Sequence, residues 1–133
     1  MLPEILSQMP AASNPPISRY TFAMSRAMLR PAILVLGLIT AAVHIFLNIR
    51  LGHLDIPFTL NALGYLGLTY ALLFPPNPLK QYSTLIHYAL MGFAAITVVA
   101  WLIIGNPNDG LAIFDKVAEL LLIAAVWLHL RAS

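Results

Sequence analysis

The chain contains no cysteine. That removes disulfide frameworks, thiol redox chemistry, thiolate metal sites and covalently attached haem. Charge is almost as scarce. Charged residues make up 9% of the 133 positions and hydrophobic residues 60%, whereas a soluble domain carries about 25% charged residues. A water-soluble surface cannot be assembled from so few charges, so the soluble-enzyme classes drop out and the chain belongs in a lipid bilayer. The net charge of +2 is too small to point to nucleic acid, and what matters is where the cations lie. No HExxH, no serine–histidine–acid set, no glycine-rich phosphate loop and no DxD pair is present, so no catalytic residue and no metal site is assigned.

What the chain does have is four long apolar segments, at 31–49, 56–74, 82–104 and 111–130. Each is close to the ~20 residues a helix needs to cross a ~30 Å hydrocarbon core. The first three hold no Asp, Glu, Lys or Arg. Turn-forming residues separate them: Gly52 to Asp55, Pro75-Pro76-Asn77-Pro78, and Gly105 to Gly110. Links this short make consecutive helices antiparallel neighbours and predict an up-down bundle of four transmembrane helices. Strands are not expected, since open sheet edges do not survive in hydrocarbon and four spans cannot close a barrel. The first apolar run exceeds the apolar core of a secretion signal and lacks a small-x-small cleavage site after it, so it reads as an anchor.

Orientation follows from the cations. Arg19, Arg26, Arg30, Lys80 and Arg131 fall on one side of the predicted bundle, and Arg50 on the other. The positive-inside rule then places both termini in the cytoplasm of a bacterial cell, with the chain in the inner membrane. Trp127 and Tyr82 fall near the inner interface and Trp101 near the outer one, as an aromatic belt requires.

Residues 1–30 form a separate tail ahead of the membrane domain at 31–133. Leu2, Ile5, Leu6 and Met9 recur at helical spacing before Pro10, Pro15 and Pro16 interrupt the chain. From Ser18 to Arg30 the pattern is basic and amphipathic, with Arg19, Arg26 and Arg30 on one face. Such a segment is expected to lie on the inner leaflet or against a partner.

The fourth segment carries Asp115, Lys116 and Glu119. At 100° per residue all three share an arc of about 100°. The stripe continues through Leu122, Val126 and His129, with Phe114, Val117, Leu121 and Leu128 on an apolar back. Charges that deep cost several kcal/mol unless paired, and are functional candidates by default. The alternatives are an internal pair from Lys116 to Glu119 or Asp115 with Lys116 snorkelling outward, a proton or ion site, and a contact to another subunit. His44 reaches the same depth on the first helix, where a contact with Glu119 is geometrically available. Gly37 and Ala41 leave room for a close neighbour. Asn61, with Gly64 and Tyr65, can join this polar cluster from the second helix.

His87 and His129 sit near the cytoplasmic ends of the third and fourth helices. Two such imidazoles facing each other across a bundle are what bis-histidine b-type haem requires. A histidine near a helix C-terminus is also commonly an interfacial residue facing the helix dipole.

The stretches Ala42-Val43-His44-Ile45, Pro57 to Tyr65, Trp101 to Gly105 and Asp115-Lys116-Val117-Ala118-Glu119 resemble a group of uncharacterised small four-helix integral membrane proteins of bacteria and archaea. The resemblance covers about 100 residues and leaves out the tail. It implies the four-helix fold and marks His44, Asn61, Asp115, Lys116 and Glu119, without implying an activity. A looser resemblance is to an added subunit of a quinol-oxidising complex of the alternative complex III type.

The leading expectation is therefore a non-catalytic accessory subunit of a larger bacterial membrane complex in respiratory or photosynthetic electron transfer. Its partners would be lipid and other integral membrane subunits, and no cofactor is expected. One alternative is a b-type haem or quinone binder using His87 and His129. Another is a small proton-coupled carrier centred on Glu119.

Overall fold

The computed structural model describes the backbone from residue 17 and side chains from residue 26, through to residue 133. The amphipathic pattern at Leu2 to Met9 and the side chain of Arg19 lie outside the described residues. Four α-helices follow one another: α1 (Ile17–Leu51), α2 (Ile56–Leu73), α3 (Ser83–Ile104) and α4 (Gly110–Arg131). A short 3-10 helix, Asn77–Tyr82, leads into α3. No strand occurs among the described residues.

The helix boundaries have local causes. Gly52, at φ +73°, ends α1 in the left-handed conformation that a side chain would resist. Asp55 then caps α2 by accepting the Phe58 N–H at 3.1 Å, with Pro57 in the first turn, where no N–H is needed. Asn48 ties this turn together. Its amide donates to the Thr59 hydroxyl at 3.0 Å, and its carbonyl accepts the Asp55 N–H at 2.7 Å. Pro75 and Pro76 stop α2, and Gly105 ends α3 ahead of Pro107. Asp109 caps α4 through the Leu111 N–H at 3.1 Å.

The stretch that begins at residue 18 and the first apolar segment are parts of a single 35-residue helix with Pro31 inside it. Pro31 removes one backbone hydrogen bond but does not end the helix.

Each helix packs on the next, and α4 packs back on α1, so the four close a ring in the order α1, α2, α3, α4. Gly37 sets the approach of α1 to α2, because a Cβ there would run into the Thr69 side chain. An apolar core is built on Ile33, Ala41, Tyr65, Leu90, Leu122 and Val126. The outside is apolar too, as a bilayer requires rather than water. Three helical stretches, Arg26–Leu51, Ile56–Leu73 and Asn77–Ile104, are long and apolar enough to cross a membrane.

Candidate functional site: a buried charge cluster and the cavity beside it

On α4 one stripe is buried, comprising Asp115, Lys116, Ala118, Glu119, Leu122, Ala125, Val126 and His129. Phe114, Val117, Leu121 and Leu128 on the opposite side are half exposed. The charges therefore face the bundle. Counting 1.5 Å per residue from Gly110, Asp115 lies about 7 Å and Glu119 about 13 Å along α4.

Glu119 is fully buried and bonded at both oxygens. Lys116 Nζ donates to Oε2 at 2.6 Å, while the Tyr65 hydroxyl at 2.7 Å and the Thr97 hydroxyl at 2.8 Å donate to Oε1. The two hydroxyls also lie 2.8 Å from each other, so Tyr65, Thr97 and Glu119 form one connected group. Lys116 Nζ also reaches Asp115 Oδ2 at 3.1 Å. Lys116 does not snorkel outward, as its side chain is only 10% exposed and its ammonium lies between the two carboxylates. With both partners inside, reaching for the interface would leave two anions unpaired in the bundle.

His44 completes the group from α1. Its Nδ1 lies 2.9 Å from the Thr40 carbonyl, which can only accept, so Nδ1 carries the proton. Nε2 then faces Asp115 Oδ2 at 3.9 Å. Asp115, rather than Glu119, supplies the carboxylate nearest His44. One more acceptor is left over, because Asp115 Oδ1 is buried without a hydrogen bond. Asn61 makes none of the cluster's hydrogen bonds and instead lines a cavity beside it. That cavity has a volume of about 380 Å³ and extends from Asp115 and His44 past Phe58, Asn61 and Trp101 toward Asn106 and Asp109.

Tyr65 was visible in the sequence as a neighbour of Asn61, but the bond from Thr97 to Glu119 was not. The signal available was a hydroxyl in the middle of an uncharged apolar segment, which an α-helix can satisfy by itself through the Ala94 carbonyl at 2.8 Å.

His87 and His129 meet near the opposite end of the bundle. Leu90 and Ala94 on α3 and Leu122 and Val126 on α4 separate them from the charge cluster. His87 Nδ1 donates to the Ser83 carbonyl at 2.7 Å, so its Nε2 is an acceptor and takes the Nδ1–H of His129 at 2.8 Å. The two rings are stacked, with centroids 5.1 Å apart. Two imidazole nitrogens on opposite sides of one metal at about 2 Å each stand about 4 Å apart. The bonded pair leaves no space for an iron between these nitrogens.

Of the basic residues assigned to the membrane surface or a partner, Arg26 is exposed. Arg30 is not free on the surface. It donates to the Leu73 carbonyl at 2.5 Å and lies 5.9 Å from the centre of the Phe74 ring, closing the C-terminal end of α2. At the other end of the bundle an exposed Arg50–Asp109 pair at 3.5 Å joins α1 to α4.

The cluster thus holds two carboxylates, one ammonium and a histidine whose neutral tautomer the backbone selects. Its formal charge is −1, and it is short of one positive charge. Comparison with protein-family models, curated proteins and solved structures returned no match.

Proposed function

We propose that the chain is a four-span integral membrane protein of the bacterial inner membrane, serving as a non-catalytic accessory subunit of a larger membrane complex, with electron transfer as the process served. The observation that carries this reading is the length of α1. It has 35 residues, about 52 Å, against 18 to 22 residues, about 27–33 Å, in the other helices. Burial on α1 begins only at Ile33 among the described side chains. Among the described side chains ahead of it, Arg26, Ala27 and Met28 are exposed and offer a lever for a neighbour.

The fourth span is supported by the direction of the α4 charges. Asp115, Lys116 and Glu119 set α4 apart from the apolar stretches of the other three helices, but these side chains are buried and the outer side of α4 is Phe114, Val117, Leu121 and Leu128. Both termini are assigned to the cytoplasm because Arg26, Arg30, Lys80 and Arg131 lie at one end of the bundle. Arg50 at the other end is paired with Asp109. The resemblance to small four-helix membrane proteins rests on the motifs around His44, Asn61 and Asp115 to Glu119.

The test is a native gel of the tagged protein extracted from its own membranes in mild detergent, repeated after deletion of residues 1–28. Migration in a large assembly that is lost on deletion supports the reading. A discrete small species in both cases overturns it.

A further inference from the structure

The geometry points to the cavity beside Asp115 as a binding site for a small organic ammonium ion, with the cationic nitrogen on the Asp115 carboxylate. The site goes beyond the accessory reading and stands whether or not the chain joins a larger assembly.

Three observations carry it. The first is the charge deficit: Asp115 and Glu119 face a single ammonium, that of Lys116. The second is that the deficit is localised. Both Glu119 oxygens and Asp115 Oδ2 already have donors, and Asp115 Oδ1 is the one carboxylate oxygen without a partner, in a residue 2% exposed. The third is the shape and lining of the adjoining space. About 380 Å³ is within the range of small-molecule sites. Its walls are largely apolar, and they include the Phe58 and Trp101 rings. Aromatic faces beside a carboxylate are the ordinary means of holding an alkylammonium, by cation–π attraction and burial of its carbon atoms.

The same arrangement argues against a metal ion. His44, Asp115 and Glu119 bring one ligand atom each within 4.8 Å of one another. However, Lys116 Nζ sits on both carboxylates at 2.6 and 3.1 Å, and two hydroxyls fill the other Glu119 oxygen. A divalent ion would have to displace the Lys116 ammonium from the cluster. A single organic cation brings it to zero and needs one acceptor, the number available. Trp101 Nε1, a buried donor without a partner, gives the same cavity a place for a hydroxyl or ether oxygen on the ligand. Asn106 and Asp109 also line the cavity, and there Arg50 occupies the Asp109 carboxylate and leaves Asp115 as the unfilled anion.

The charged and titratable groups around Asp115 are His44 from α1, Tyr65 from α2, and Lys116 and Glu119 from α4 itself. A proton on His44 or Asp115 could supply the missing charge instead, and the experiment separates the two sources. Full-length protein carrying Trp127→Phe, in nanodiscs, is titrated with choline, ethylammonium and tetraethylammonium while Trp101 fluorescence is followed. Neutral alcohols of matching size and zinc ion serve as controls. Saturable fluorescence change with at least one ammonium ion is expected, together with a raised melting temperature. Binding should weaken at least tenfold in Asp115→Asn. It should also be lost in Ala112→Phe, which fills the cavity and leaves every charge in place. Equal response to the neutral alcohols, binding of zinc alone, or unchanged binding in a folded Ala112→Phe variant would overturn the site. So would the absence of any ammonium response in the wild type, which assigns the missing charge to a proton.

Discussion

The Tyr65 hydroxyl donates to Glu119 Oε1 at 2.7 Å across the centre of the bundle, joining α2 to α4, which stand diagonally opposite in the ring of helices. Thr97 reaches the same oxygen from α3, and Lys116 holds the other oxygen from α4 itself. One buried carboxylate thus ties three helices, and its partners differ in what their loss leaves behind.

Removing Lys116 leaves two buried carboxylates with no cation between them, whereas Glu119→Gln keeps an acceptor for Tyr65 and Thr97 and leaves the Lys116–Asp115 pair neutral. Lys116→Met is therefore expected to destabilise the bundle by about 3–5 kcal/mol. Glu119→Gln should cost about 1–2 kcal/mol, in the range of a weakened buried hydrogen bond. Tyr65→Phe should cost about 0.6 kcal/mol and at most about 1.7. Thermal or denaturant unfolding in detergent gives the order, and a Glu119→Gln variant less stable than Lys116→Met would contradict it.

Gly37 and Gly64 are expected to reject even a methyl group, for different neighbours. A Cβ at Gly37 meets the Thr69 side chain, and one at Gly64 meets the tip of the Phe93 ring. Each Gly→Ala change should cost about 1–3 kcal/mol by overpacking. Adding Thr69→Ala to the first and Phe93→Leu to the second should recover part of that loss. Gly92, with nothing near its built Cβ, is the control. Gly92→Ala should be neutral or stabilising by up to about 1 kcal/mol, from helix propensity. A double-mutant cycle on melting curves checks the coupling.

His44, His87 and His129 should all carry the neutral-state proton on Nδ1. Thr40 and Ser83 carbonyls accept from the first two, and His87 Nε2 accepts from the third. Nitrogen-15 NMR of histidine-labelled protein at alkaline pH reads the tautomer directly. A Nε2–H form at His87 would break the proton ordering of the pair and reopen its Nδ1 geometry.

Asn48 holds the α1–α2 turn from both its amide and its carbonyl. Asn48→Ala is expected to cost about 1–3 kcal/mol because it leaves the Asp55 N–H unsatisfied. Asp55→Ala, losing the α2 cap, should cost about 1 kcal/mol. Hydrogen exchange should localise both effects to residues near Gly52 to Thr59, with faster exchange there and little change in α3.

The fold was legible because each boundary carries its own chemistry: Gly52 and Asp55, the Pro75-Pro76 pair, and Gly105 with the Asp109 cap. The inward stripe of α4 was legible for a similar reason, since angular position on a helix depends only on residue number. That one helix runs through Pro31 was not legible, because local propensity alone sets a proline against the helix interior. Asn61 shares the cluster's depth, yet its side chain lines the cavity rather than bonding to the charges. Depth along a helix follows from residue counting; partner choice depends on the rotation of the neighbouring helix.

Composition and spacing by themselves determined that this chain is a helical membrane protein with three charges on one face of its last helix. Those properties follow from the hydrophobic effect and from helical period, which act residue by residue. Only the tertiary structure decided that Lys116 turns inward, that Asp115 rather than Glu119 faces His44, and that His87 and His129 bond to each other. It also left one carboxylate oxygen unfilled beside a cavity. Those outcomes turn on hydrogen-bond distances of 2.6–3.1 Å between different helices, and no pattern along a single helix specifies them.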